Sequence, residues 1–192
     1  DVIDFAEASI FEISEKKARQ SFYPLSKIIL GNIETLEENQ GNRSLVTGIP
    51  TGFSHLDNLT SGLQNSDLII LAARPSMGKT ALALNIARNA AVEANIPVAI
   101  FSLEMSKEQL SMRMLCAEAR IDSSRLRGGF FSMEDWRRLT DAADILSASP
   151  IYIDDSASMS AMEIRAKARR LKMDKNLGLV IIDYLQLMQG RA

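Results

Sequence analysis

The chain has 192 residues, 46% hydrophobic and 24% charged, a balance that excludes global disorder and low-complexity fibre. Lys and Arg number 22 against 24 Asp and Glu, a net charge of −2, so bulk charge carries no nucleic-acid signature and only a local basic groove could supply one. The lone cysteine, Cys116, excludes an internal disulfide and any multi-cysteine metal site, and no apolar run approaches the roughly 18 residues of a membrane span.

Residues 1–19 read as a helix, with Ile3, Ala6, Ile10 and Ile13 on one face. The acidic start lacks the charged-then-apolar pattern of a signal peptide, which predicts a reducing, intracellular protein. No sequence neighbour covers the apolar stripe, so this helix is expected to dock elsewhere, on its own domain or on a neighbouring subunit. A second helix starts near Pro24, a residue suited to a first helical position, and carries Leu25, Ile28, Ile29, Ile33 and Leu36. It runs into the polar stretch Glu37–Asn42, read as a linker. The expected division is 1–20, 21–44 and 45–192, with the domain proper beginning near residue 45.

From there the pattern alternates. Residues 67–73 contain Leu-Ile-Ile-Leu-Ala-Ala, read as a strand buried on both faces. Residues 79–94 read as a helix with Leu82, Ile86 and Ala90 on one face. Pro97–Leu103 is a second buried strand. Ser106–Gln109 has capping-box form and opens a helix. Ser132–Asp135 is a looser version, and its helix carries Trp136, Leu139, Ala143 and Leu146. Ile151–Asp154 is a third strand, Ser160–Glu163 opens a helix running to about Lys175, and Gly178–Asp183 is a fourth strand. The alternation predicts an α/β fold, a mainly parallel sheet flanked by helices. The last strand lies just before the end of the sequence, so the chain is expected to be a fragment or to have its sheet completed by something else.

The strongest chemical signal is Ala73-Arg74-Pro75-Ser76-Met77-Gly78-Lys79-Thr80, between a predicted strand and a predicted helix. A polyphosphate needs convergent backbone N–H groups, a helix N-terminus and a close cation. Arg74, Pro75, Ser76 and Met77 form the loop, and Gly78 lets the backbone approach. Lys79 reaches the β- and γ-phosphates, and the Thr80 hydroxyl is placed for Mg²⁺. Ala73 stands where the usual motif has its first glycine, which requires a negative φ there.

Hydrolysis also needs acids. Asp183 ends the run Leu179–Ile182, and an acid at the carboxyl end of a buried parallel strand lies in the ligand crevice of an open α/β sheet. It fits a Walker B aspartate holding Mg²⁺ through water. Glu104 ends the strand Val98–Leu103 in the same way and could polarise the attacking water. Asp154 and Asp155 also follow a strand, and spacing alone leaves them as rivals. His55, the only histidine, sits in a polar loop region and makes no metal site. The basic run Arg165–Lys175 reads as the solvated face of an amphipathic helix, Cys116 as a small buried hydrophobe, and the methionines as core filler.

These segments together resemble a known family. Ala73–Thr80, Phe101-Ser-Leu-Glu-Met-Ser106 and Val180-Ile-Ile-Asp-Tyr-Leu-Gln-Leu-Met188 resemble the motor domain of DnaB-type replicative DNA helicases. Thr47–Asp57 resembles the segment leading into that RecA-like domain, and Asp4–Ile13 resembles the family's linker helix. The resemblance covers essentially the whole chain. It implies a RecA-like P-loop ATPase core preceded by a linker helix, truncated after the Walker B strand. It implies ATP and Mg²⁺ as cofactors, Lys79 and Thr80 as their ligands, Glu104 as catalytic base and Asp183 as the Walker B acid. It further implies a homo-hexamer assembled through the linker helix, single-stranded DNA as track, primase and a helicase loader as partners, no membrane, and a cytoplasmic replication fork of bacterial or organellar type. The family's DNA-binding loops, sensor glutamine and arginine finger have no counterpart in this sequence, so the isolated chain is expected to bind nucleotide and turn it over weakly. Another RecA-like ATPase, of recombination or clock type, and a non-catalytic assembly module remain the alternatives.

Overall fold

The computed structural model describes residues 24–40 and 46–189. The chain divides into two compact units, residues 1–44 and 45–192. The helix expected at 1–19 lies outside the described residues. In the first unit, helix α1 (Leu25–Gln40) starts beside Pro24 as predicted but runs on through Glu37–Gln40, part of the expected linker, and its Leu25, Ile28, Ile29 and Ile33 are exposed.

The second unit opens with a short antiparallel bridge, Ile49 to Leu63, around a helix that the sequence pattern does not reveal, α2 (Ser54–Thr60). His55 sits exposed on this helix rather than in a loop. Asp57, 6% exposed, folds the segment onto itself. Its Oδ1 accepts from the Thr51 amide at 2.9 Å and hydroxyl at 2.7 Å, and its Oδ2 accepts from the Gly52 amide at 3.1 Å. Asn89 then donates from Nδ2 to the Thr51 carbonyl at 2.9 Å, so buried polar groups are satisfied rather than stranded.

Helix α3 (Lys79–Arg88) continues through a π-helical turn, Asn89–Glu93. Its buried face is Leu84 and Ala87, with Ala90, as predicted, and Ala91 in the π turn; the predicted Leu82 and Ile86 are only half-buried. The small alanines let this helix lie close against the sheet, which a reading by size alone does not anticipate. Next come β1 (Val98–Ser102), α4 (Lys107–Ala119), the short α5 (Ser123–Arg127), α6 (Met133–Ala148), β2 (Ile151–Asp154), α7 (Ala161–Lys175) and β3 (Leu179–Asp183). Capping boxes at Ser106/Gln109, Ser132/Asp135 and Ser160/Glu163 open α4, α6 and α7. In each, side chain and backbone satisfy one another reciprocally, which fixes where the helix starts.

The sheet is parallel, in the order β2-β1-β3. β1 is central and alternates its faces with period two. Val98 and Ile100 pack with Leu84, Ala87, Leu110 and Met114 on one side, and Ala99 and Phe101 pack with Met159, Ile164 and Leu177 on the other. The larger of these side chains contribute about 2 kcal/mol each by their burial. A further cluster, Ala119, Ile121, Leu139 and Ala142, joins α4 to α6. Trp136 is not part of it; its ring is exposed and stacks on Phe131 at 5.9 Å. It occupies the first turn of α6, before the helix reaches its packing partner. On α7, Ile164 is buried, Ala168 and Leu171 are half-buried, and Arg165, Lys167, Arg169 and Arg170 face solvent, as predicted. Cys116 is buried.

The strand expected at 67–73 is not formed. Residues 67–74 carry no strand pairing, and Leu68, Ile69, Ile70 and Leu71 are exposed. A parallel strand needs a hydrogen-bonded neighbour and cover on both faces. Among the described residues none flanks this segment, and apolar composition cannot supply one.

Gly52 has φ +79°, and a Cβ built there would fall 2.2 Å from Asn89 Nδ2. Replacing it adds backbone strain and dislodges the Asn89–Thr51 tie, so Gly52→Ala is expected to destabilise the domain by about 2 kcal/mol, measured by chemical denaturation with an unchanged m-value.

Candidate active site

The loop from Ala73 to Gly78 is exposed throughout. Its curvature is set by two left-handed residues, Ser76 at φ +63° and Gly78 at φ +87°. Ala73 is not among the positive-φ residues, which is why alanine can stand at the first position. The Met77 amide donates to the Arg74 carbonyl at 3.2 Å, closing a turn around Pro75 and Ser76. No heavy atom lies within 4 Å of a Cβ built on Gly78, so its glycine serves the backbone conformation. Gly78 is also the N-cap of α3, and its carbonyl accepts from the Leu82 amide at 2.9 Å. The first helical residues are therefore Lys79 and Thr80, and the positive end of the helix dipole points into the loop.

Helix α3 packs on β3, which brings Lys79 and Thr80 to Asp183 across more than a hundred residues of sequence. The Thr80 hydroxyl donates to Asp183 Oδ2 at 2.6 Å. The Lys79 ammonium lies 3.0 Å from Asp183 Oδ1 and 4.2 Å from the centre of the Tyr184 ring. Asp183 is 6% exposed, so both carboxylate oxygens are occupied in a setting where water screens little. The Tyr184 contact had no sequence signal beyond adjacency to Asp183. Cation–π pairing depends on where a ring lies in space.

β1 and β3 run side by side, with Ser102 opposite Asp183. The Leu103 amide donates to the Asp183 carbonyl at 2.7 Å. Glu104 thus leaves the sheet at the same edge as Asp183, two residues beyond its partner. It is exposed and makes no hydrogen bond or ion pair among the described residues.

The rival acids leave the sheet at the same end, but on β2, with the central strand β1 between them and Asp183. Asp154 ends β2, the strand on the other side of β1 from β3, and pairs in register with Phe101 of β1. It accepts from the Lys167 ammonium at 2.6 Å and the Ser156 amide at 3.0 Å. Burial pushes its carboxyl up, but the Lys167 and Ser156 hydrogen bonds outweigh this and hold it below the ordinary value. Asp155 accepts from the Lys107 amide at 3.0 Å, and this hydrogen bond, joined by the charge of Lys107, lowers its carboxyl too. These two acids are tied to α4 and α7, whereas Glu104, two residues beyond the strand partner of Asp183, is unengaged among the described residues.

A groove of about 750 Å³ between α3 and α4 is lined by no residue of the loop 73–78. Arg88 spans it in a bidentate pair with Glu118 at 2.6 and 2.8 Å, and the Glu118 hydrogen bond raises its guanidinium pKa.

Among the described residues no group of three or more His, Cys, Asp or Glu side chains could hold a metal. The available donors are hard oxygens, one hydroxyl and one carboxylate, beside a helix N-terminus. That set suits Mg²⁺ sharing its coordination with phosphate and water. Among the described residues no helix is long and apolar enough to cross a membrane.

Residues 48–192 match the family model described as the DnaB-like helicase C-terminal domain. The chain is 52% identical over 189 residues to a replicative DNA helicase DnaB from Geobacillus stearothermophilus, covering 98% of this chain and 42% of that protein. Among solved structures it resembles one described as an ATPase domain, with TM-score 0.81, 32% identity, and coverage of 90% of this chain and 61% of that one. A DnaB-like replicative helicase, described with its interactions with primase, gives TM-score 0.77 and 32% identity, covering 97% and 45%. The chain spans about 42% of the curated relative's length.

The Asp155 tether predicts an acid response. Its folded pKa lies below the ordinary 3.8, so its contribution is complete above about pH 4 and is lost as pH falls through the lower folded value. Stability measured between pH 5 and pH 2 should fall more steeply for the parent than for Asp155→Ala.

Proposed function

The chain belongs to the family of the DnaB-like helicase C-terminal domain, and on that premise we propose that it is the nucleotide-binding motor portion of a replicative DNA helicase. The observation that carries the reading is the convergence of Lys79 and Thr80 on the two oxygens of Asp183, at 3.0 and 2.6 Å, at the mouth of a loop built for phosphate.

ATP is the substrate. The loop N–H groups from Arg74 to Gly78 and the α3 N-terminus receive the phosphates. Nucleotide draws Lys79 off Asp183 and onto the β- and γ-phosphate oxygens. Thr80 and Asp183 would hold Mg²⁺, Asp183 through water; when bound, the ion neutralises charge on the β- and γ-oxygens. Glu104 takes the proton from a water that attacks the γ-phosphorus in line. The bond from the γ-phosphorus to the β–γ bridging oxygen breaks, and its electron pair leaves on the β-phosphate of ADP. Lys79 stabilises the charge that develops there.

In the full-length protein this turnover drives movement along single-stranded DNA and unwinding of duplex, as a homo-hexamer assembled through residues 1–19. Primase and a helicase loader are the proposed partners, at a bacterial-type replication fork in the cytoplasm. The similarity to replicative helicases supports these assignments.

In the full-length protein, Lys79→Ala should lose Mg-ATP binding by titration calorimetry. Glu104→Gln should keep nucleotide affinity within a few-fold and lose turnover by about 100-fold or more, within the range for a positioned general base. Unchanged turnover in Glu104→Gln removes that residue from the base role. A protein that hydrolyses ATP but never separates a forked duplex belongs instead with recombination or clock-type ATPases.

A further inference from the structure

Strand β1 reads Val-Ala-Ile-Phe-Ser, and its last residue breaks an otherwise apolar, fully buried run. Ser102 is 1% exposed. A hydroxyl there costs free energy unless it is bonded, and a β-branched apolar residue would suit the strand better. The hydroxyl is bonded twice, to one residue. Its Oγ donates to the Met105 carbonyl at 2.6 Å and accepts from the Met105 amide at 3.2 Å. The side chain thus closes a loop of which Leu103 and Glu104 are the apex. The same loop is tied to β3, since Ser102 is paired with Asp183 and the Leu103 amide donates to the Asp183 carbonyl. Beyond Met105 the chain enters the Ser106/Gln109 capping box, and Asp155 accepts from the Lys107 amide.

We propose that Ser102 is a positioning residue: its hydroxyl clamps the Met105 backbone and so fixes Glu104 relative to the Asp183 edge where the γ-phosphate is attacked. This rests on the reading of Glu104 as the base. Glu104 itself is exposed and has no side-chain partner among the described residues. Among the described residues no polar partner holds its carboxylate, so its place depends on the backbone beneath it. Without the clamp, the two-residue apex is free to shift, and a displacement of about 1 Å at a reacting group costs as much as 100-fold in rate. The Ser102 hydroxyl is hydrogen-bonded to Met105 and, among the described residues, to no residue of the loop 73–78, so nucleotide affinity should not depend on it.

The test is made in the full-length protein, with ATP turnover, nucleotide affinity and melting temperature measured together. Ser102→Ala is expected to lower kcat by about 10-fold or more while leaving the Kd for Mg-ATP within about two-fold. In the Glu104→Gln background the same substitution should cause no further loss. Thr and Val have nearly the same shape, so Ser102→Thr and Ser102→Val share any packing penalty and differ in the hydroxyl alone. The Thr variant should retain most of the turnover that the Val variant loses, and this pair decides the matter if Ser102→Ala folds poorly. Equal turnover in the Thr and Val variants overturns the proposal, as does a loss from Ser102→Ala that multiplies with that of Glu104→Gln. If Ser102→Ala leaves turnover intact while Glu104→Gln abolishes it, the positioning role fails and the base assignment stands. If Glu104→Gln keeps full turnover, the base assignment fails and the positioning role falls with it.

Discussion

The site depends on one carboxylate held from both sides. Asp183 is nearly buried, and each of its oxygens meets a group from the start of α3, the Thr80 hydroxyl and the Lys79 ammonium. An ionised carboxylate so enclosed is tolerable only when paired and hydrogen-bonded. Its position therefore follows from two independent packings, the parallel register of β3 on β1 and the seating of α3 on β3. Disturbing either moves the acid away from the loop.

The remaining acids are separated by topology. The strand order β2-β1-β3 puts Asp154 and Asp155 on one flank of the central strand and Asp183 on the other. The first two are engaged by Lys167, Ser156 and the start of α4. Glu104 emerges from the central strand itself and is left without a partner among the described residues. Carboxylates that look alike in sequence thus acquire different roles from which strand carries them and what already occupies their oxygens.

The segment leading into the domain shows the same pattern of polar burial. Asp57 organises Thr51 and Gly52, and Asn89 at the π turn reaches back to Thr51. The π turn follows α3 directly, so the helix that begins at the phosphate loop is fastened at its far end to the domain's first residues. A helix held at both ends presents its N-terminus at a defined place.

Much of this was legible in the sequence. The phosphate loop, the capping boxes, the strands at Val98, Ile151 and Leu179, and the amphipathic α7 follow from glycine placement, serine-to-acid or serine-to-glutamine spacing and apolar periodicity, all of which act over a few residues. The sequence also determined which residues could serve as acids. Only the tertiary structure decided which of them stand at the loop, because strand order is a long-range property that local pattern does not encode. It decided too that residues 67–73 stay unpaired, since a strand exists only beside a neighbour. The Lys79–Tyr184 contact, the Arg88–Glu118 pair and the Ser102 clamp were legible to neither spacing nor composition. They depend on where a backbone turns or a distant side chain arrives, and those distances are set when the helices close on the sheet.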